Sequence, residues 1–237
     1  MSESEKSYSV VELQARWDKI RIANLYDTLD SMGYPNQCLD LTIRPLFPHQ
    51  HLAGKVVTAR GCRDPRTREE IQTEGQKSTV SLVSLRDLVF PGAAVVLECG
   101  GEPYTGKFGE MTSWNIQQAG VKGIVIDGYI RDRLGLEAIP GYTVCARGTS
   151  PVESCKRWRI QATNVPIAMP GTLTSQVRVS PGDWVVGGPD GVIIVPQEIA
   201  MEALVKAEDM EAREQGMRTD LAAGMPFEEA YKKWDRA

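Results

Sequence analysis

Apolar and polar positions alternate along this chain with two different periods. Ser9 and Glu12 stand three residues apart, the spacing of a helix capping box. Behind them Leu13, Trp17, Ile20, Asn24 and residues 26–29 follow helical spacing as far as Gly33 and Pro35, which fits one long helix or two short ones. The stretch to about His51 is irregular and rich in proline. Residues 55–60 read as a strand, 61–78 as a charged surface loop without periodicity, and 79–88 as a short helix. Pro91-Gly92 precedes a strand over 94–99. Gly109 and Glu110 open a helical pattern (Met111, Trp114, Ile116, Ala119) that stops at Gly120. Residues 123–127 and 142–146 have strand character, so this region reads as a βαβ unit. Short strands follow at 176–179, 184–187 and 191–195, separated by Pro-Gly-Asp and Gly-Gly-Pro-Asp-Gly turns. Pro196 ends the last of them. A charged helix over about 198–223 stops at Gly224, and 227–234 fit one more short helix.

Composition narrows the function classes. The 237 residues are 42% hydrophobic and 24% charged, values of a globular chain rather than a disordered or fibrous one. The net charge of −4, with no basic block, argues against nucleic acid as a partner. No apolar run approaches a membrane span. The first seven residues are polar and carry acids, unlike a signal or transit peptide. Five cysteines without a C-x-x-C pair suit reduced thiols, and a cytoplasmic location is expected.

The strongest chemical constellation joins Gly109-Glu110, at a helix start, with Arg131-Asp132, just past a strand. A helix N-terminus offers unpaired N–H groups and partial positive charge to an anion. Asp132 suits a hydrated divalent cation, and Arg131 suits an oxyanion beside it. Neighbouring residues on a regular strand point to opposite faces, so the two share a pocket only if the strand has already ended; Gly128 allows such a turn. The same dipeptide also reads as a solvated surface ion pair. His49 and His51 flank Gln50 in a loop without a nearby acid or Cys, and Cys145 and Cys155 have no neighbouring histidine. Glu208, Asp209, Glu211 and Glu214 read as the solvated face of a helix. G-x-S-x-G, a Walker loop, and G-x-G-x-x-G opening a helix are all missing.

The run Gly123-Ile-Val-Ile-Asp-Gly-Tyr-Ile-Arg-Asp132 resembles the G-x-V-x-D-G-x-x-R-D signature of the RraA-like family, which includes class II pyruvate aldolases acting on 4-hydroxy-4-methyl-2-oxoglutarate. Leu-Tyr-Asp-Thr-Leu-Asp-Ser-Met-Gly at 25–33 and Leu-Ala-Gly-Lys-Val-Val-Thr at 52–58 are similar to further family segments. So are Ala-Arg-Gly-Thr-Ser-Pro at 146–151, Val-Ser-Pro-Gly-Asp at 179–183, and Asp-Gly-Val-Ile-Ile-Val-Pro at 190–196, all in the family's order. The resemblance implies a three-layer β/β/α sandwich of the swivelling phosphohistidine-domain type. It implies one domain over 1–237, with a core at about 10–197 and a helical extension at about 198–237, assembled as homotrimers or hexamers. It implies Asp132 as ligand of Mg²⁺ or Mn²⁺, Arg131 as substrate-binding arginine, and the backbone amides of Gly109, Glu110, Met111 and Thr112 as the cradle of a pyruvate carboxylate. Glu110 matches an acidic position near the metal water. Glu214, in an E-x-x-x-R pattern with Arg218, matches a glutamate that reaches a neighbouring subunit's site. The implied activity is cleavage of a small 2-oxo acid to pyruvate and a carbonyl product, or oxaloacetate decarboxylation. The alternative is a non-enzymatic regulator that binds an RNA-processing endonuclease. Two departures stand out: Thr112-Ser-Trp-Asn115 replaces an alanine-rich stretch, and Gly188 replaces an acid.

Overall fold

A computed structural model describes residues 7–74, 84–102 and 104–234. The N-terminal pattern resolves into two helices, α1 (Val10–Trp17) and α2 (Ile22–Ser31). Ser9 and Glu12 form the reciprocal capping box. Asp18 ends α1, and Arg21 enters α2 in extended conformation, which breaks the long-helix alternative. Next come β1 (Arg44–Pro45), β2 (Leu52–Arg63) and α3 (Arg68–Glu74). The charged stretch after residue 60 is therefore not a loop throughout. Strand β2 runs three residues further because β8 (Trp158–Thr163) pairs with its second half, and α3 follows. Residues 75–78 of that stretch lie outside the described residues. So do 79–83 of the helix expected at 79–88, where Ser84–Asp87 form a 3₁₀ turn.

The remaining elements are β3 (Ala93–Glu98), α4 (Glu110–Gln117), β4 (Gly123–Ile126), β5 (Tyr129–Ile130), α5 (Arg133–Glu137), β6 (Thr143–Ala146) and β7 (Gly148–Thr149). After β8 come β9 (Ile167–Met169), β10 (Val177–Val179), β11 (Trp184–Gly188), β12 (Gly191–Val195), α6 (Ala200–Ala222) and α7 (Phe227–Trp234). The main sheet has the order β1-β6-β4-β3-β2-β11-β12, with β8 also on β2. Strands β2, β3, β4 and β6 are parallel, with α4 in the crossover from β3 to β4 and α5 in the one from β4 to β6. Strands β3, β4 and β6 are buried almost throughout, as expected of parallel strands covered on both faces.

Side-chain alternation assigns the layers. Val57, Ala59, Val95, Leu97 and Ile124 pack with Phe108, Ile116 and Leu136 from the α4–α5 side. Val56, Ala94, Val96 and Val125 point the opposite way, onto Ile167, Met169, Val177 and Val179 of the small β9–β10 sheet. Small sheet, main sheet and helices thus form the expected three layers. At the β11–β12 end, Trp184, Val186, Ile193 and Val195 are covered by α1, α2 and α6 through Trp17, Leu25, Leu29, Ala203, Leu204 and Ala207. Among the described residues no helix is long and apolar enough to cross a membrane.

The pairing of β2 with β8 is interrupted between Arg60 and Gly61, where the register shifts. A Cβ on Gly61 would fall inside the Trp158 indole, whose Nε1–H donates to the Cys99 carbonyl at 2.9 Å. Gly61→Ala is expected to cost about 1–3 kcal/mol by displacing that ring. Thermal denaturation should show a Tm lower by roughly 2–10 °C.

Candidate functional site

Three segments meet beyond the carboxyl ends of β3 and β4. The central one is residues 128–132. The Lys107 N–H donates to Tyr129 O at 3.0 Å, and the Arg131 N–H donates to Phe108 O at 2.9 Å, which attaches residues 106–108 along one side. On the other side β5 pairs in parallel with β7, and the Ser150 N–H donates to Ile130 O at 2.8 Å. The Gly106 N–H donates to Val152 O at 2.8 Å and joins the two flanks.

Strand β5 ends at Ile130, before the two residues of interest. Asp132 then adopts the left-handed conformation (φ 61°, ψ 44°), tolerated best by Gly, Asn and Asp. That turn puts both side chains in one place: Arg131 Nε lies 3.3 Å from Asp132 Oδ2. The same oxygen accepts the Glu110 N–H at 3.4 Å. Both contacts are longer than a strong charge-assisted hydrogen bond, so the carboxylate is loosely held. The Asp132 side chain is 43% exposed.

Asp132 approaches the start of α4 because residue 109 is glycine; a Cβ there would collide with Oδ2. The first bond within α4 is Ser113 N–H to Gly109 O, at 3.1 Å. The amides of Glu110, Met111 and Thr112 precede it and have no partner inside the helix. The Glu110 carboxylate lies against Gly135 in α5, where a Cβ would overlap it. The structure thus brings Gly109 and Glu110 to Arg131 and Asp132, with Met111 and Thr112 following in the first turn of α4. It does not bring Glu214 to them within one chain. Glu214 lies on α6, where Arg218 Nη1 donates to it at 3.0 Å. Glu211 is engaged by Asn24 Nδ2 at 2.8 Å and by Arg218 Nη2 at 2.7 Å.

Other features of this region give no direct signal in the pattern of the chain. Lys107 is fully buried, and its Nζ donates to Glu102 Oε2 at 2.6 Å and to Thr105 O at 3.0 Å. Burial opposes ionisation of Glu102, but bonds from Lys107, Thr105 and the Tyr104 amide prevail and pull its pKa to about 2. In the sequence Lys107 stands in Thr105-Gly-Lys-Phe-Gly109, where no period marks it as buried. The Asp127 carboxylate accepts the Cys99 N–H at 2.6 Å; burial raises its pKa despite that bond. Arg147 binds the Asp127 carbonyl at 3.1 Å and Asp40 at 3.2 Å, which fixes the exit from β4. Glu153 Oε1 stands 4.0 Å from Arg131 Nη1. The His51 ring nitrogens face Asp18 Oδ1 and Ile20 O, each at 3.2 Å. Among the described residues no group of three His, Cys, Asp or Glu side chains is placed to hold a metal ion.

A loop-borne acid and arginine at a helix start, beyond the carboxyl ends of a parallel sheet, is the arrangement of an α/β ligand site. The sequence profile of the Aldolase/RraA family, of the RraA-like type, matches residues 22–194, and the chain belongs to that family. A Halalkalibacterium halodurans protein named "Putative 4-hydroxy-4-methyl-2-oxoglutarate aldolase" is 29% identical over 221 residues, covering 92% of this chain and 94% of that one. The crystal structure of Streptomyces coelicolor RraAS2, described as an unusual member of the RNase ES inhibitor RraA family, is 26% identical with a TM-score of 0.72. That alignment covers 90% of this chain and 98% of the other. An uncharacterized protein from Pseudomonas syringae has the same fold, with a TM-score of 0.75, 23% identity and coverage of 94% and 99%.

Proposed function

We propose that this protein is a divalent-metal-dependent lyase that cleaves a 4-hydroxy-2-oxo acid, of the 4-hydroxy-4-methyl-2-oxoglutarate type, to pyruvate and a carbonyl product, with oxaloacetate decarboxylation as a related activity. The observation that carries the reading is the meeting of Arg131 and Asp132 at the start of α4, where Asp132 Oδ2 accepts the Glu110 N–H and the following amides have no partner within the helix. The Halalkalibacterium relative's name supports the same reaction class.

The donor set fits Mg²⁺ or Mn²⁺. Asp132 is an exposed hard-oxygen ligand, and both of its contacts fall on Oδ2. Mg²⁺ commonly takes one or two carboxylates and keeps its waters, so a cluster of protein ligands is not needed. A substrate carboxylate drawn to the α4 amides must also approach Asp132, and a cation between two anions relieves that repulsion. When bound, the cation supplies Lewis acidity toward the 2-oxo group.

The chain's own groups do the rest. The amides of Gly109, Glu110, Met111 and Thr112 orient the carboxylate. The proton leaves the C4 hydroxyl, the C3–C4 bond breaks, C4 becomes a carbonyl, and the electron pair moves into the enolate of pyruvate. Arg131 stabilises that developing charge. Glu110, with Glu214 from a second copy in a trimer or hexamer, provides the carboxylates that accept the C4 proton and return one to C3. Lys107, buried and paired with Glu102, is not available as an imine-forming amine.

The test is pyruvate release from several 4-hydroxy-2-oxo acids and oxaloacetate, with Mg²⁺ and with excess chelator. Release that chelation abolishes and Mg²⁺ or Mn²⁺ restores is expected. Full activity in chelator overturns the metal assignment, and no release from any substrate favours the alternative of a protein-binding regulator.

A further inference from the structure

We infer that the crevice at the amino ends of β2, β4 and β6 is a second binding site, and that it takes a small zwitterion of the α-amino-acid type. The candidate lyase site lies beyond the carboxyl ends of β3 and β4, at the other end of the parallel sheet, so a ligand held in this crevice is not its substrate.

The crevice has a volume of about 410 Å³ and forms where the end of α1, the segment before β2 and the turn from α5 to β6 come together. Gln14, on α1, sets it apart. This residue is only 6% exposed, lines the crevice, and its side chain makes no hydrogen bond with any described residue. Native structures rarely leave a buried carboxamide without partners. This one offers both donors and an acceptor to whatever fills the space. Gln50 also lines the crevice but serves its wall. Its Nε2 donates to Tyr142 O at 3.1 Å, and its Oε1 accepts the Val144 N–H at 3.4 Å.

The placement of charge identifies the occupant. Lys122, just before β4, and Glu137, at the end of α5, both line the crevice. Neither forms an ion pair with the other or with any described residue. Asp18 is the C-cap of α1, and its Oδ1 faces His51 Nδ1 at 3.2 Å. A helix C-terminus carries partial negative charge and Asp18 adds to it, so that side of the crevice favours a cation. Lys122 favours an anion. Opposite charges that line one crevice without meeting leave a place for an occupant that carries both. A simple carboxylate would leave Asp18 and Glu137 unanswered, and a simple amine would leave Lys122 unanswered. An α-amino acid brings a carboxylate for Lys122, an ammonium for Asp18 and Glu137, and a hydrogen-bonding partner for Gln14 in either group. Ile139 and Pro140, on the turn from α5 to β6, supply an apolar wall for its side chain.

The experiment is titration calorimetry, paired with thermal melts, of the intact protein with glycine, L-alanine and L-glutamine. Lactate, which lacks the ammonium, and alaninamide, which lacks the carboxylate, are the controls. At least one amino acid is expected to bind and to raise Tm. Both controls should bind more weakly by about tenfold or more, because each forfeits one charged contact. Gln14→Leu, close in size, and Lys122→Met should each weaken amino-acid binding by about tenfold. Lys122 is only half-buried, so Lys122→Met decides the matter if Gln14→Leu fails to fold. Arg131→Ala should bind the amino acid as wild type does. No binding of any of the three amino acids leaves the crevice to water and overturns the inference. Lactate binding as tightly as L-alanine overturns the zwitterion assignment. Wild-type affinity in folded Lys122→Met, or lost binding in folded Arg131→Ala, puts the amino acid elsewhere and overturns the site. None of these readouts involves pyruvate release, so the lyase reading stands or falls separately.

Discussion

Asp132→Asn is expected to abolish nearly all turnover and cation binding while the protein stays folded. Asparagine is the informative replacement because residue 132 is left-handed (φ 61°). Alanine in that conformation costs about 1–2 kcal/mol, which would mix a backbone effect with a chemical one, whereas asparagine tolerates it. The amide keeps the size that fits against Gly109 and removes only the charge. Arg131→Ala should behave differently. Its guanidinium contacts substrate and the developing enolate, so cation binding remains and kcat falls by on the order of 100-fold or more. Arg131→Lys should rescue only in part, because an ammonium lacks the planar fork. Metal titration, pyruvate release and a thermal melt on each variant provide the check. Wild-type turnover in both folded variants would reduce the pair to a surface ion pair and remove the basis of the lyase reading.

Lys107→Met is expected to be the most destabilising single change near the site. It leaves Glu102 buried and without its cation, a loss of about 3–5 kcal/mol. For a chain of this size that lowers Tm by roughly 6–20 °C. Replacing both partners, as Lys107→Met with Glu102→Gln, should recover much of the loss, since no uncompensated charge remains. The pair also sets an acid limit. The Glu102 carboxyl falls from its ordinary 4.5 to about 2 on folding. Its contribution is therefore fully present above about pH 4.5 and disappears as pH falls toward 2. In Lys107→Met the acid transition should move to higher pH. Urea melts from pH 3 to 7 measure both effects. A single variant as stable as wild type, or a double variant no better than the single, would show that the pair does not brace the loop at 102–107.

Much of the fold was legible because its signals are local. The Ser9–Glu12 box, the fully apolar strands at 94–97 and 191–195, and the helix between Gly109 and Gly120 each carry their own pattern. Strand β8 and the last three residues of β2 were not. Their residues are charged or of mixed polarity, and each becomes a strand only through the other, about 100 positions away. Helix α5 is five residues long, too short to leave a period. At the site, the Arg-Asp pair could be found from its spacing past a buried strand, and the left-handed turn at Asp132 supplies the condition under which both side chains meet. Glu102, Lys107 and Glu153 could not be found so readily. Their significance comes from burial or from backbone pairing across loops, and neither leaves a periodic trace.

The ribbon formed by residues 106–108, β5 and β7 separates what must stay constant from what is free to vary. Asp132 is confined by its own backbone and by Gly109, and any larger residue at either position would break the contact. Glu153 and Tyr104 lie past the ribbon on surface loops. A scaffold divided in this way can change its substrate over evolutionary time through substitutions or insertions in those loops, while the reacting centre is inherited intact. Descendants of one ancestor would then share an unchanged Arg-Asp turn and differ in the residues around it.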